Sequence, residues 1–368
     1  MNIAFIYRCK NIHILRRSSG LAELGHEIHY IGFQPADSLI DLSNFKKIKF
    51  FNISNLFSKL TVLDFIFASF KIKRYLKENK IDILHVQSPI YCLSVLFFCN
   101  VPIIVENMGS DVLLIKKKDF LRKFLISLAY FKSKSIIQDS FTAKKAGVLL
   151  GAKSVNNYVI DVGVNMNIFN RKMLRTEAKQ KLGIFEDTKI IFSPRAMGPN
   201  YNIDLIIKSA RLVLNKIPNV IYIFASPLTN KSIIKSIKKL QLKYPNRVRA
   251  VGYLDNTKDL PIYMRASDVI ISIPTSDSSP LTVLEAMASG APVIASKNIW
   301  YKGKFVEGKH LYVTDLNHQN IAKKTIEVLT FGSKVVENAY QRVQTRYSNL
   351  FCSRRLEALY NKVLRKCI

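Results

Sequence analysis

The feature that most constrains the fold is a stretch in which an apolar run, a polar loop and a helical pattern follow one another. Residues 269–273 (VIISI) are typical of a buried β-strand. The loop that follows contains Pro274 and Pro280, after which apolar residues recur at helical spacing. Gly290 and Pro292 end the helical pattern, and a second apolar run begins at once. This order predicts a βαβ unit of a parallel sheet.

The loop and the first helical turn also carry polar groups that suit an anionic ligand with several hydroxyls. The backbone N–H groups of Leu281, Thr282 and Val283 are predicted to lie free at the positive end of the helix dipole. Glu285, one turn further, suits hydrogen bonds to the vicinal hydroxyls of a ribose, and Asp277 can face a second polyol. This combination predicts a sugar-nucleotide site.

Two serines extend the same site, and they also supply its simplest alternative. Ser278 and Ser279 are predicted to add hydroxyl donors beside that of Thr282. The alternative is an ordinary βαβ turn in which a serine or an aspartate caps the helix and binds nothing. The residues alone leave both interpretations open.

The stretch resembles the Glu-x7-Glu signature of family 4 glycosyltransferases, a large retaining family with the GT-B fold. Asp277 stands where the family usually has glutamate, and Ser278 replaces the glycine that follows. The resemblance implies that the acids, Pro280 and the amides of the first helical turn bind the donor. The chain agrees with the usual family run at Asp277, Pro280, Leu284, Glu285, Ala286, Met287, Ala288, Gly290, Pro292, Val293 and Ile294.

Two more donor contacts are implied by the same resemblance. Arg195 follows a predicted strand and aligns with the arginine that grips the donor diphosphate, where its planar guanidinium suits phosphate oxygens. The family's lysine partner is absent, and Tyr201 occupies that position. Residues 251–254 resemble the segment that contacts the base, and Tyr253 is assigned to the donor for this reason.

The first half of the chain alternates strands and helices, which predicts a second parallel, doubly wound sheet. Residues 109–111 resemble a His-Gly-x-Asp segment of the family, and Asp111 is assigned to sugar or acceptor positioning. Its alternative role is a helix N-cap. Met108 stands where the family often has histidine, so that base is not carried over. His13, at a strand-to-helix turn, is a second catalytic candidate, whereas we interpret His85 as structural.

The strand–helix alternation predicts an α/β protein, and the family resemblance implies GT-B architecture, with two Rossmann-like domains whose parallel sheets face each other across a cleft. Residues 1–164 are predicted to bind the acceptor, and residues 165–345 to bind the nucleotide sugar. Residues 346–368 are predicted to form a helix that crosses back to the first domain.

Composition is consistent with this plan and bounds the setting. The 368 residues, 48% of them apolar, are enough for two domains with large cores. The five cysteines show neither metal-site nor disulfide spacing, and the chain opens as a strand rather than a signal peptide, so we expect a cytoplasmic protein. The net charge of +30 indicates an anionic partner, or a coding bias toward lysine, asparagine and isoleucine.

Two stretches interleave basic and aromatic residues, at residues 45–51 and 116–131. The second predicts a helix capped by Asp119 with an apolar stripe that includes Phe120, Phe124 and Phe131. The stripe suits an anionic lipid surface, and its alternative is a helix that faces the core. We therefore expect peripheral association with the inner face of the cytoplasmic membrane.

The resemblance implies a retaining glycosyltransferase that moves a sugar from a UDP or GDP sugar to a glycan or lipid-linked acceptor, in cell-envelope polysaccharide or lipopolysaccharide synthesis. No metal site and no resident cofactor are expected, because the chain has no Asp-x-Asp pair. No nucleic-acid partner is expected either. The alternatives are an inverting glycosyltransferase, a nucleotide-sugar epimerase, a catalytically weak GT-B scaffold, and a nucleic-acid-binding protein favoured only by the charge.

Overall fold

The computed structural model describes the chain apart from short segments. Outside the description are residues 8–11, 34–47, 54–61, 97–98, 108, 114, 116–117, 226, 228, 278, 299–300 and 367–368, and the side chains of residues 12–13, 62–66 and 110–111. The chain divides into two compact units. The first unit contains Met1–Gly163 and Asn349–Ile368, and the second contains Val164–Ser348. The C-terminal segment thus belongs to the first unit although it follows the second in sequence.

The first unit contains a parallel sheet whose described strands are arranged in the order β3-β2-β1-β4-β5-β6-β7. The strands are β1 (Asn2–Tyr7), β2 (Glu27–Gly32), β3 (Ile48–Asn52), β4 (Ile83–Gln87), β5 (Ile103–Glu106), β6 (Ser135–Gln138) and β7 (Asn157–Val159). The α-helices are α1 (Ile12–Glu23), α2 (Val62–Glu78), α3 (Ser110–Leu113), α4 (Phe120–Lys132), α5 (Phe141–Leu149) and the C-terminal α13 (Asn349–Arg365), with 3-10 turns at Pro89–Ser94 and Ser154–Asn156.

The second unit repeats this plan, with strands in the order β10-β9-β8-β11-β12-β13, all parallel. The strands are β8 (Lys189–Ser193), β9 (Val220–Ala225), β10 (Val248–Val251), β11 (Val269–Ser272), β12 (Val293–Ser296) and β13 (Tyr312–Thr314). The α-helices are α6 (Arg175–Lys181), α7 (Ile203–Lys216), α8 (Lys231–Lys243), α9 (Leu260–Ala266), α10 (Leu281–Ala288), α11 (His318–Phe331) and α12 (Val336–Arg346), with a 3-10 turn at Pro199–Tyr201.

The central strands of the first sheet are buried on both faces, which explains why they are apolar without alternation. Successive residues of β1 enter different cores because side chains alternate across a strand. Ala4 and Ile6 pack in a core shared with α2 and α4, whereas Ile3 and Phe5 pack in a core shared with α1 and α13. The predicted parallel, doubly wound α/β organisation is therefore confirmed.

A glycine lets α1 and α13 approach each other closely. A Cβ atom at Gly20 would collide with Ser353 Oγ and would lie only 2.8 Å from the side-chain amide of Asn349. Glycine inside a helix costs about 1 kcal/mol relative to alanine. At this position the close packing of α13 accounts for it.

Two local features differ from the sequence-based picture. Ile48–Asn52 forms the edge strand β3, which we did not predict, because its exposed residues interrupt the apolar run that marks a buried strand. Asp119 occupies the N-cap position of α4, but its carboxylate accepts no capping hydrogen bond from the first turn. Separately, the described helices include none with the length and apolar character needed to cross a bilayer.

Candidate functional site

The second sheet has a point where its strand order reverses, and the candidate site lies there. From β8 the chain continues to β9 on one side, and from β11 it continues to β12 on the other. In open parallel sheets, ligands bind in the crevice at the carboxyl ends of the two strands that flank such a point. The loops that leave β8 and β11 carry Arg195 and Asp277, respectively.

Asparagine side chains tie these two loops together. Asn200 Nδ2 donates to the carbonyl of Ser276 at 2.8 Å, and the Ser276 N–H donates back to Asn200 Oδ1 at 3.0 Å. Asn202 Nδ2 donates to the Ile273 carbonyl at 2.8 Å. Asn202 has a φ of +53°, a left-handed conformation that asparagine adopts more readily than most residues. Together with a backbone bond from the Thr275 N–H to the Asn200 carbonyl at 2.7 Å, these bonds hold the two loops in a fixed relation.

Arg195 is fixed on three sides at this crevice. Its Nη2 donates to Asp277 Oδ2 at 2.7 Å, its Nη1 donates to Thr282 Oγ1 at 3.2 Å, and its guanidinium lies 4.4 Å from the centre of the Tyr201 ring. The side chains of the ion pair are only 10% and 16% exposed, so water screens them weakly. The other guanidinium N–H groups have no acceptor within the described part of the chain.

Helix α10 begins beside Arg195, which bonds to Thr282 in the first turn of the helix. Pro280 occupies its N-cap position, as the sequence indicated, and Gly290 follows its end with a φ of +75°. The prediction of three free amides is wrong for Val283, whose N–H donates to the Pro280 carbonyl at 3.1 Å. The N–H groups of Leu281 and Thr282 have no acceptor among the described residues. The site thus offers two amides and one guanidinium to an anion.

Glu285 lies three residues after Thr282, which places both on one face of α10. The residue is only 3% exposed. A carboxylate in such a place is costly unless its oxygens are hydrogen-bonded. Its assignment to a ribose diol remains a prediction.

Of the other residues that the sequence assigned to the site, three can be placed by their exposure and the rest lie wholly or partly outside the described residues. Ser279 is half-buried, Pro280 is buried, and Tyr253 is exposed in the loop after β10. Ser278 lies outside the described residues, as do Met108 and the side chains of His13 and Asp111. The backbones of the last two lie in α1, after β1, and in α3, after β5, at the carboxyl edge of the first sheet. Across the described residues, no three His, Cys, Asp or Glu side chains form a group that could hold a metal ion.

A second polar cluster lies buried in the first unit, and its arginine and glutamate were not singled out from the sequence. Arg17 forms an ion pair with Glu106 and also donates from Nη2 to the Ile160 carbonyl at 2.9 Å. His85 Nε2 lies 2.9 Å from Glu106 Oε2, and His85 Nδ1 lies 2.5 Å from the Tyr360 hydroxyl. Because both ring nitrogens of His85 have neighbours and the residue is fully buried, the structural interpretation of His85 is the better one.

The charge states in this cluster follow from its contacts. Burial by itself would raise the pKa of Glu106, but the Arg17 charge and the His85 hydrogen bond outweigh burial and lower that pKa to about 2. Burial lowers the pKa of His85 and is the main cause of its shift. Glu106 is therefore the anion of the cluster, and His85 is held neutral. An apolar patterning argument could not find this cluster, since its members come from α1, β4, β5 and α13.

Two family models match the chain. The model described as "Glycosyl transferases group 1" matches residues 175–343, and the model described as "Glycosyl transferase 4-like" matches residues 2–140. The site from Arg195 to Glu285 lies inside the first match.

Curated relatives match the chain at 23% to 26% identity, one over nearly its whole length and two over about half of it. N-acetyl-alpha-D-glucosaminyl L-malate synthase of Bacillus anthracis is 23% identical over 365 residues, which cover 94% of this chain and 91% of that protein. Alpha-monoglucosyldiacylglycerol synthase of Streptococcus pneumoniae (strain ATCC BAA-255 / R6) is 26% identical over 207 residues, 50% of this chain and 46% of that protein. This second match spans about half the length of the relative, and the same holds for a further Bacillus subtilis relative.

Solved structures with the same fold cover the whole chain. A glycosyltransferase from Rickettsia africae ESF-5 superposes with a TM-score of 0.83 at 18% identity, covering 99% of this chain and 98% of that one. Anabaena Alr3699/HepE, in complex with UDP and glucose, superposes with a TM-score of 0.80 at 16% identity, covering 98% and 100%. At these identities the likeness establishes the fold.

Proposed function

The chain belongs to the group 1 glycosyl transferases and has GT-B architecture, and on that premise we propose that it is a retaining hexosyltransferase. The donor is a UDP or GDP sugar, and the acceptor is a hydroxyl of a glycan or lipid-linked molecule in cell-envelope polysaccharide synthesis. The observation that carries the proposal is the Arg195 guanidinium, fixed beside the two open amides of α10 at the sheet's reversal point.

That geometry suits the leaving group of glycosyl transfer. In the reaction, the bond between the sugar carbon and the diphosphate oxygen breaks, and the acceptor oxygen bonds to the same carbon. The hydroxyl proton leaves with the diphosphate. Negative charge grows on the diphosphate as the bond breaks, and preorganised donors such as Arg195 and the amides of Leu281 and Thr282 stabilise that charge.

The acids and the acceptor residues have secondary roles in this proposal. Asp277 orients the guanidinium through its 2.7 Å ion pair and contributes a carboxylate for sugar hydroxyls. Glu285 binds the ribose, and Ser278, Ser279 and Tyr253 complete the donor site. His13 and Asp111 position the acceptor from the first unit. We assign no resident cofactor, since the nucleotide sugar is itself a substrate, and no metal, since the chain has no Asp-x-Asp pair.

The setting is part of the proposal. One relative is by its name a synthase of alpha-monoglucosyldiacylglycerol, which supports a lipid-linked acceptor here. A basic chain of net charge +30 is attracted to anionic lipid. We place the enzyme in the cytoplasm, at the inner face of the membrane, with no nucleic-acid partner.

The first prediction concerns donor binding. UDP or GDP sugars, added at about 100 times their Kd, should raise the Tm of the chain by about 5 °C or more, because the ligand binds only the folded protein. A thermal-shift panel of nucleotide sugars, nucleoside diphosphates and bare nucleosides measures this. The bare nucleosides serve as the control and should give no comparable shift. If no nucleoside diphosphate stabilises the folded chain, the donor site is misassigned.

Transfer assays separate the remaining alternatives. A retaining enzyme yields a product with the anomeric configuration of the donor, which NMR of the product reports. The opposite anomer would indicate an inverting enzyme, and a changed free sugar nucleotide would indicate an epimerase. Donor binding without transfer to any acceptor would favour the catalytically weak scaffold that the Tyr201 and Met108 departures suggest.

The second prediction concerns Tyr201, which stands where the family usually has lysine. Its ring lies 4.4 Å from the Arg195 guanidinium and holds it by a cation–π contact. Tyr201→Ala should raise the donor KM about threefold to tenfold, the equivalent of about 1 kcal/mol, with a smaller change in kcat. Tyr201→Phe keeps the ring and should behave like the parent chain. Equal losses in both variants would mean that the hydroxyl, rather than the ring, matters.

A further inference from the structure

Helix α4 of the first unit is apolar on two opposite sides. Ile126, Ala129 and Tyr130 are buried in the core of the unit. The opposite side carries four large apolar side chains that are 64% to 76% exposed: Phe120, Leu121, Phe124 and Phe131. A helix on the surface of a globular protein ordinarily turns its apolar side toward the core and a polar side toward water. The sequence left open whether the apolar stripe of α4 faces the core. The structure places Phe120, Leu121, Phe124 and Phe131 outside, whereas Leu128 packs against the core.

The end of α5 extends this surface. A Cβ atom at Gly151 would lie 2.8 Å from Ser127 Oγ, so the turn after α5 lies directly against the middle of α4. Val148 and Leu149, just before this turn, are both exposed. We call the combined surface of Phe120, Leu121, Phe124, Phe131, Val148 and Leu149 the α4–α5 face. Exposed apolar patches of this kind mark interaction sites.

Positive charge surrounds the α4–α5 face. Among the described residues of 112–134, five are lysine or arginine and a single one, Asp119, is acidic. Lys118, Lys132 and Lys134 are exposed at the two ends of α4. Lys123 Nζ lies 5.5 Å from the centre of the Phe120 ring, so the charge and the apolar surface adjoin each other directly.

We propose that the α4–α5 face is the surface with which the enzyme docks onto an anionic lipid bilayer. The aromatic and leucine side chains enter the headgroup region, and the lysines at the ends of α4 contact lipid phosphates. This deepens the membrane association proposed above by naming the surface. Exposed apolar rings beside positive charges match a surface that offers apolar lipid chains beside negatively charged headgroups.

A second copy of the chain fits this face less well. In a two-fold symmetric dimer each patch meets the same patch of its partner. The lysines at the ends of α4 would then face lysines, and like charges across an interface are repulsive. An anionic bilayer offers apolar contact and opposite charge together.

The third prediction tests the face with vesicles and the full chain. The chain should co-sediment with phosphatidylcholine vesicles that contain phosphatidylglycerol, and less with phosphatidylcholine alone or at high salt. The double variant Phe124→Ser/Phe131→Ser should weaken vesicle binding about tenfold or more, because two aromatic rings are no longer transferred from water into the headgroup region. Lys132→Glu/Lys134→Glu should weaken binding to the anionic vesicles only.

Matched controls come from the second unit. Phe185 and Phe331 are 84% and 81% exposed, and Lys238 and Lys239 are exposed on α8. Phe185→Ser/Phe331→Ser and Lys238→Glu/Lys239→Glu remove the same groups elsewhere and should leave vesicle binding unchanged. Stabilisation by UDP or GDP sugars should be the same in all these variants, which checks folding and the donor site separately.

The outcomes are distinguishable. Donor binding without vesicle binding overturns the membrane surface and leaves the proposed reaction standing. Vesicle binding without donor binding overturns the proposed reaction and leaves the membrane surface standing. Equal losses in the α4 variants and in their controls show general apolar or electrostatic adsorption and overturn the assignment to this face. A dimer in sedimentation that only the α4 variants disrupt, together with indifference to vesicles, assigns the face to a second copy instead.

Discussion

Replacing Arg195 by alanine is expected to lower kcat/KM for the nucleotide sugar about 100-fold to 1,000-fold, the usual effect of removing one donor that stabilises a developing anion. The physical reason is the placement of the guanidinium. It is held by Asp277 and Thr282, is mostly buried, and adjoins the open amides of α10. Most of the loss should appear in kcat, because negative charge on the diphosphate is greatest in the transition state. Steady-state kinetics with varied donor measures this fourth prediction.

Two companion variants make the result specific. Arg211 is an exposed arginine of α7 in the same unit, and Arg211→Ala should leave the kinetics unchanged. Arg195→Lys keeps the charge but loses the planar arrangement of donors, so it should restore only part of the activity. If Arg195→Ala stays within about threefold of the parent chain while the donor still binds, well short of the loss expected for an oxyanion donor, the diphosphate lies elsewhere.

Asp277 can be tested against Arg195 in a double-mutant cycle. If Asp277 acts only by orienting the guanidinium, then Asp277→Asn should cost little more once Arg195 has been removed. If Asp277 also binds sugar hydroxyls, its loss should remain costly in the Arg195→Ala background. The cycle therefore separates the two roles assigned to this carboxylate.

Removing the charge of Glu106 is expected to destabilise the first unit by about 3–5 kcal/mol, the range found when one member of a buried ion pair is lost. In the variant Glu106→Gln, the buried Arg17 guanidinium keeps its charge but loses its counter-ion. Hydrogen exchange of the β4 and β5 amides reports this fifth prediction locally, and the β8 and β11 amides of the second unit serve as an internal reference.

An exposed ion pair in the same unit supplies the control. Arg74 and Glu78 are bonded at 2.7 Å on α2, but both side chains are more than half exposed. Glu78→Gln should therefore change stability by less than about 1 kcal/mol. Equal effects of Glu106→Gln and Glu78→Gln would show that burial does not govern the Arg17 pair.

The pH dependence has a defined sign. The pKa of Glu106 falls from 4.5 to about 2 in the folded chain, so its stabilisation is complete above pH 4.5 and is lost as the pH falls toward 2. The pKa of His85 is also lowered, and protonation of the unfolded chain below 6.5 acts in the same direction. The first unit should lose stability on acidification, and Glu106→Gln should flatten the loss below pH 4.5.

The fold could be predicted from local patterns because parallel strands buried on both faces are continuously apolar. β11 is clear in the sequence for this reason, and α10 is clear from the helical spacing of its apolar residues between Pro280 and Gly290. The edge strand β3 was not predicted, since its partly exposed side chains weaken that signal. Family membership was likewise accessible from one short run of residues.

The sequence by itself determined most of the elements, the two parallel sheets and the residue types at the proposed donor site. Only the tertiary structure decided that Arg195 bonds to both Asp277 and Thr282, and that Phe120, Leu121, Phe124 and Phe131 of α4 face outward. The physical reason is one of range. Helix and strand patterns reflect contacts over a few residues, whereas the Arg195 pair and the Arg17–Glu106 pair join residues more than eighty positions apart, brought together by the order of strands in a sheet.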